Sequence, residues 1–135
     1  MKTIINKLFK TITLINENIN FLGKYYISTN NCNTNTCLEI AQDRFVDVVS
    51  LNGNDISNDL FAKIIAARLF QIEGVTGILL SDNSIEIEVA VYGFTIHDVL
   101  EDCKMTVGSV LNILEPQKKE IDTLIGWASE LIKKR

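Results

Sequence analysis

The first 24 residues carry an apolar pattern that fits one face of an α-helix. At 100° per residue, Lys7 and Lys10 fall on one face and the aliphatic side chains on the other. The aliphatic face comprises Ile4, Ile5, Leu8, Ile12, Ile15 and Ile19. We therefore predict a basic amphipathic helix over residues 1–24, with Ile4, Leu8 and Ile12 as partner-binding residues.

Between residues 25 and 114 the pattern changes to short β-branched runs separated by one long helical stripe. "KYYIST" is interpreted as the entry to a strand. Strands are predicted in "CLEIAQ", "RFVDVVSL", "VTGILLS" and "SIEIEVAVY", where apolar positions recur with a period of two or lie in short continuous runs. A helix is predicted over residues 57–70, with Gly74 at its end, and a second helix is predicted to start at the N-cap Thr95. The order predicts an α+β domain, β-β-α-β-β-α, with a small four-stranded mixed or antiparallel sheet and helices on one face.

The apolar pattern of the last segment, residues 115–135, predicts an additional amphipathic helix at the C-terminus. Pro116 suits its first turn, where the missing N–H costs least, and its stripe ends in "ELIKKR". Trp127 flanks this stripe, so it would either anchor a partner or cover the core.

Charge divides the chain in two. Residues 1–24 hold four lysines and one glutamate, whereas residues 39–102 hold 12 acids and three bases. An acidic body repels phosphate, so nucleic acid is not an expected partner. No apolar run is long enough to span a membrane. The basic N-terminal helix is typical of a mitochondrial targeting segment, of a membrane-surface helix, or of a helix packed on its own domain or on a partner.

Two stretches are similar to the N-terminal domain of Nfu/NifU-type iron–sulfur cluster assembly proteins. Residues 26–40, "YISTNNCNTNTCLEI", align with the F-I-x-T, P-N-P-N and L-K-F pattern of that family, although both prolines are absent. "AARLFQIEGVTGILLSDNSIEIEV" resembles its second signature, a helix ending L-F-x-I-x-G-V before a strand, a turn and a second strand. The C-x-x-C module that holds the cluster in this family is missing. The resemblance, over about residues 25–113, implies an accessory role beside cluster transfer.

Few residues suggest chemistry. Cys32 and Cys37, spaced C-x4-C, are weak metal candidates that would need further ligands from Cys103 or His97. His97 beside Asp98 suggests a base, but a surface or capping histidine explains it more simply. Glu86 and Glu88 share one strand face. Paired carboxylates can bind a cation or act in acid–base work, but an exposed strand face explains these two without any chemistry.

The expected function is therefore docking and not catalysis. We expect an accessory domain of iron–sulfur cluster assembly that binds cluster-assembly proteins, with no cofactor in this chain alone and a cluster only through a partner or a dimer. The alternative is a structural subunit of a larger mitochondrial complex. The expected location is mitochondrial, in the matrix or facing it, with the cytoplasm as the alternative.

Overall fold

The computed structural model describes residues 1–29, 37–40 and 44–112, and these form one antiparallel sheet with two helices. The helices are α1, Leu60–Leu69, and α2, residues 96–112, and a short 3-10 turn, Ile56–Asn58, precedes α1. The strands are β1 Lys2–Asn6, β2 Thr11–Ile15, β3 Tyr25–Ser28, β4 Cys37–Ile40, β5 Arg44–Ser50, β6 Val75–Ser81 and β7 Ser84–Val89. The predicted α+β class is confirmed.

The sheet has seven strands in the order β1-β2-β7-β6-β3-β5-β4, and every neighbouring pair is antiparallel. The predicted four-stranded sheet is therefore wrong. Two of the additional strands come from the N-terminal segment, which pairs with β7 through β2. A third arises because residues 25–50 supply three strands and not two.

The predicted N-terminal helix is also wrong, because residues 2–15 form the β1–β2 hairpin. The sequence "TITLI" alternates with a period of two, so Ile12 and Leu14 are fully buried while Thr13 and Ile15 lie on the other face. Threonine and isoleucine are β-branched and favour strands over helices. The hairpin of residues 2–15 is thus part of the same sheet as the domain that follows. The predicted C-terminal helix, residues 115–135, lies outside the described residues.

One face of the sheet forms the core. Ile12 and Ile78 lie on either side of Ile87, and Leu14 and Leu80 lie on either side of Ile85. All six side chains are fully buried, and burying each one stabilises the fold by roughly 1.5–3 kcal/mol. Ile85, Ile87 and Val89 point inward together, as their alternation predicts.

The two helices cover this apolar face. α1 contributes Ala62, Ile65, Ala66 and Leu69, and α2 contributes Ile96, Val99, Cys103, Val107 and Val110. These positions recur every three or four residues, which is the spacing of one helical face. No described helix packs on the opposite face of the sheet, which carries Glu86 and Glu88.

A buried carboxylate joins β3 to the start of α1. Asp59 is the N-cap of α1, and its Oδ1 accepts a hydrogen bond from the Ala62 amide at 3.2 Å. Its Oδ2 accepts from the Leu22 amide at 2.9 Å and from the Tyr25 hydroxyl at 3.1 Å. Burial, with the Asp59 hydrogen bond and charge adding to it, raises the pKa of Tyr25 to about 12.

Candidate functional site

The turn of the β1–β2 hairpin has a fixed shape that exposes two large apolar side chains. The Asn6 Oδ1 atom accepts hydrogen bonds from the amides of Leu8 and Phe9, at 3.1 and 3.2 Å. This arrangement is an Asx-type turn, in which a side chain replaces a backbone acceptor. Leu8 and Phe9 are 83% and 70% exposed, so the turn presents them to solvent.

Lys10 connects this turn to a loop that is distant in the sequence. Its ammonium donates to the carbonyl oxygens of Ala90 at 2.7 Å and Val91 at 3.1 Å, and to that of Phe94. The Lys10 carbonyl in turn accepts from the Val89 amide at 2.9 Å. Lys10 has a φ of 49°, and a left-handed backbone costs a non-glycine residue roughly 1–2 kcal/mol. The hydrogen bonds of its ammonium offset that cost.

The loop held by Lys10 runs from β7 to α2 and exposes two further apolar side chains. Val91 is 71% exposed and Tyr92 is 89% exposed. Gly93 follows with a φ of 85°, a conformation that favours glycine. We call residues 7–10 and 90–94 together the hairpin corner. It brings Leu8, Phe9, Val91 and Tyr92 to one corner of the fold.

The end of the hairpin corner is fixed by the start of α2. Thr95 is the N-cap, as its sequence position predicts: its Oγ1 accepts from the Asp98 amide, and its own amide donates to Asp98 Oδ2 at 2.6 Å. This reciprocal pair is a capping box with aspartate in the third position. The hydrogen bond from the Thr95 amide lowers the pKa of Asp98, with the Thr95 hydroxyl adding to it.

A pocket of about 280 Å³ lies between β1 and the start of α2. Its lining residues are Ile5, Lys7, Lys10, Phe94, Thr95, Ile96 and His97. His97 is exposed at its rim, and no hydrogen bond joins it to another described side chain. Ile5, Phe94 and Ile96 give the pocket an apolar lining and Lys7 adds a positive charge, which suits an apolar group with negative charge nearby.

The predicted partner-binding residues do not share one face. Ile4 is partly exposed on β1, Leu8 is at the tip of the turn, and Ile12 is fully buried in the core. They were grouped by a helical period that the strands do not have. Trp127 lies outside the described residues.

The cysteines do not form a described metal site. Cys32, and the side chain of Cys37 in β4, lie outside what the structure describes. Cys103 is fully buried in α2, and burial, with Asp102 nearby, raises the pKa of its thiol to about 12. Within residues 1–29 and 45–112, no group of three or more histidine, cysteine, aspartate or glutamate side chains is close enough to hold a metal ion.

Glu86 and Glu88 lie on the sheet face opposite the core. The Tyr26 hydroxyl lies 2.9 and 3.0 Å from the two carboxylate oxygens of Glu88, to which it donates. Burial, followed by this hydrogen bond and the charge of Glu88, raises the pKa of Tyr26. Gly77 provides the space, because a Cβ there would lie 2.5 Å from Glu88 Oε2. Glu88 is thus already engaged with Tyr26.

Sequence reasoning missed Phe9, Lys10, Val91 and Tyr92. The available signals were an aromatic residue between two lysines in "NKLFK" and the exposed-looking "VYGF" just before the Thr95 cap. The contact that joins them spans 80 residues, and no local pattern reports such a contact.

Neither described helix has the length and apolarity needed to cross a membrane. Comparison with models of protein families gave no match to this chain. Comparisons with curated proteins and with solved structures gave none either. The likeness to the Nfu/NifU N-terminal domain therefore stays a prediction from the sequence.

Proposed function

We propose that this chain is a non-catalytic protein-docking domain whose binding surface is the hairpin corner. The observation that carries the proposal is that two loops held together by Lys10 each expose two large apolar side chains, Leu8 and Phe9 on one and Val91 and Tyr92 on the other. Contiguous exposed apolar side chains rimmed by polar ones are typical of interaction sites. Aromatic residues are enriched in the centres of such interfaces.

The stiffness of the hairpin corner supports this proposal. Binding costs free energy whenever loops and side chains must be ordered in the complex. Here the Asn6 turn, the Lys10 ammonium and the Thr95–Asp98 capping box fix the two loops before any partner arrives. Binding residues on loops held by a rigid scaffold are a common arrangement in proteins.

The resemblance to the Nfu/NifU domain extends the proposal to the identity of the partner. It supports a cluster-assembly protein, and a larger mitochondrial complex is the alternative. A mitochondrial location rests on the resemblance alone, because the predicted N-terminal helix is a β-hairpin. Stable co-purification in such a complex, with cluster enzymes unaffected by depletion of the chain, would favour the alternative. Loss of cluster-enzyme activity upon depletion would favour the assembly role.

A membrane surface is a second candidate for the hairpin corner. Lys7 precedes Leu8 and Phe9 in the same turn, and a basic residue beside exposed apolar ones suits an anionic bilayer. The predicted membrane-surface helix does not exist, so the contact would come from loop tips. Sedimentation with vesicles of phosphatidylcholine and phosphatidylserine separates the two candidates, since a protein-docking domain stays in the supernatant.

The direct test uses two matched surface variants of the full chain. The first replaces Leu8, Phe9, Val91 and Tyr92 with serine. The control replaces Leu22, Leu60 and Met105, which are similarly exposed elsewhere. Tagged chains are purified from the native cells and bound proteins are quantified by mass spectrometry. We expect partner loss only in the first variant; equal partner recovery by both variants would refute the proposal.

A further inference from the structure

Within residues 1–29, 37–40 and 44–112, no strand pairs with the outer edge of β1. β1 is the first strand in the sheet order, and within the described part of the chain only β2 pairs with it. Its five residues pair with β2 in continuous register, from Lys2 opposite Ile15 to Asn6 opposite Thr11, without a bulge. Natural edge strands are usually protected by prolines, bulges or several charges. β1, "KTIIN", has a single lysine.

The side chains of β1 divide between two environments. Ile5 is the cross-strand neighbour of the buried Ile12 and lines the pocket beside α2. Ile4 is the neighbour of Thr13 and lies on the opposite face. Side chains directly across two paired strands lie on the same face. A strand added to β1 would therefore place an apolar side chain beside Ile5, over the pocket formed with Phe94 and Ile96.

The charge along this edge indicates what kind of strand would bind. Residues 1–16 contain Lys2, Lys7 and Lys10 and no acid. The Lys10 ammonium is used within the fold, whereas Lys2, the first residue of β1, and Lys7, which follows its last residue, make no ion pair with a described residue. Opposite charges across paired strands stabilise the pairing, and like charges directly opposite destabilise it.

Resting on the proposed docking function, we propose that β1 binds an extended, acidic segment of another protein as an eighth strand of the sheet. The segment alternates apolar and acidic residues, with an apolar side chain over the Ile5 pocket and carboxylates near Lys2 and Lys7. Main-chain hydrogen bonds supply affinity in this mode of recognition, and side-chain pockets supply specificity. A second copy of this chain fits less well, because pairing of β1 with β1 would bring the two lysine-flanked edges together.

The binding experiment uses the full chain and three synthetic peptides of equal length. In the first peptide valine alternates with aspartate, in the second it alternates with lysine, and in the third all aspartates precede all valines. Fluorescence anisotropy should show binding of the first peptide only, with affinity falling as salt rises. Equal binding of the first and third peptides would overturn strand addition, and so would no binding of the first.

Proline substitutions test the backbone contact itself. In a strand, the amides of successive residues point to alternate edges. Thr3→Pro and Ile4→Pro therefore differ: one removes an amide from the open edge, and the other removes an amide from the β1–β2 ladder. The variant that keeps the melting temperature is the edge variant. We expect it to weaken binding of the first peptide at least about tenfold, the scale of one lost backbone hydrogen bond. Unchanged affinity in that variant would overturn the proposal.

Charge reversal provides a second route that does not depend on a proline. The double variant Lys2→Glu, Lys7→Glu should bind the aspartate peptide about tenfold more weakly at low salt and should bind the lysine peptide more tightly than wild type does. Lys63→Glu, on α1, is the matched control and should change the affinity for neither peptide. Self-association that is lost in the edge-proline variant would overturn the proposal in favour of a second copy. Slow hydrogen exchange of the open-edge β1 amide in the free monomer would overturn it in favour of a segment of the same chain.

The two proposals fail separately. If the edge-proline variant recovers the native partner as wild type does while the serine variant of the hairpin corner loses it, the docking function stands and strand addition fails. If neither variant loses the partner, both proposals fail.

Discussion

The Lys10 ammonium lies 2.7 Å from the carbonyl oxygen of Ala90, 80 residues further along the chain. This contact fixes the N-terminal hairpin against the loop that leads into α2. It also explains why two loops with exposed apolar side chains keep one relative position. The first predictions concern this contact and the groups that support the fold around it.

Replacing Lys10 with methionine should loosen the hairpin corner without unfolding the sheet. Methionine keeps the apolar stem but cannot donate, so three carbonyl oxygens lose a partner. We expect the free energy of unfolding to fall by about 1–2 kcal/mol in urea titrations. Amide exchange in residues 90–94 should accelerate. Lys7→Met is the control, and an equal change in both variants would show that the Lys10 contact does not hold the loops.

The Tyr25–Asp59 pair should give the fold a specific response to alkaline pH. The pKa of Tyr25 is raised from 10.0 to about 12, so above pH 10 the folded state keeps a proton that the unfolded state loses. Stability from this group is present below pH 10 and is lost as the pH rises toward 12. Urea titrations across this range should show a flatter profile for Tyr25→Phe than for wild type.

Two controls accompany the alkaline titration. Tyr92→Phe alters an exposed tyrosine and should leave the wild-type profile unchanged. The pKa of Cys103 is raised from 9.0 to about 12, so its contribution to stability is also lost as the pH rises, beginning near pH 9. Cys103→Ala removes this contribution and shows how much of the alkaline loss comes from Cys103. An identical profile in Tyr25→Phe and wild type would contradict the raised pKa of Tyr25 in the folded state.

Cys103 should be inert to thiol reagents while the protein is folded. The chain has three cysteines, so Cys32→Ser with Cys37→Ser leaves Cys103 alone. Its side chain is fully buried and its thiol is protonated at neutral pH because burial raises its pKa. Reaction with Ellman's reagent should therefore be at least about a hundredfold slower in buffer than in urea, because it requires opening of the fold. Equal rates would place α2 away from the core.

Gly77 and Tyr26 should act on stability through Glu88. A Cβ at position 77 would displace the Glu88 carboxylate and break its contact with the Tyr26 hydroxyl. Gly77→Ala should therefore cost about 1 kcal/mol in the wild-type background. In a Tyr26→Phe background the cost should fall below about 0.5 kcal/mol, because the hydrogen bond is already gone. Additive effects in this double-mutant cycle would contradict the contact.

The sequence predicted the centre of the fold better than its edges. The alternation of Ile85, Ile87 and Val89 has only one explanation, because their polar neighbours exclude a helical stripe. The N-terminal segment was misassigned because Ile4, Ile12 and Ile15 fit a helical period when taken together. The strand period is visible only within "TITLI". The prediction followed the helical spacing and not the β-branched composition. The β-branched residues of β2 are accommodated in its pairing with β7.

The candidate site was less predictable than the fold. Thr95 was identified as an N-cap because capping depends on residues three positions apart. Lys10 could not be identified, since its acceptors are backbone carbonyls that any sequence would supply. Its left-handed backbone likewise gives no signal in a lysine. Long-range contacts to the main chain leave little trace in a single sequence.

The central claim is that the two loops of the hairpin corner bind one protein partner together. Site-specific photo-crosslinking tests it most directly, with a benzophenone amino acid placed at Phe9, at Tyr92 or, as a control, at Met105 in the native cells. We predict that Phe9 and Tyr92 crosslink to the same partner and that Met105 does not. Crosslinks from Met105 with none from Phe9 and Tyr92 would contradict the account, as would different partners at Phe9 and Tyr92.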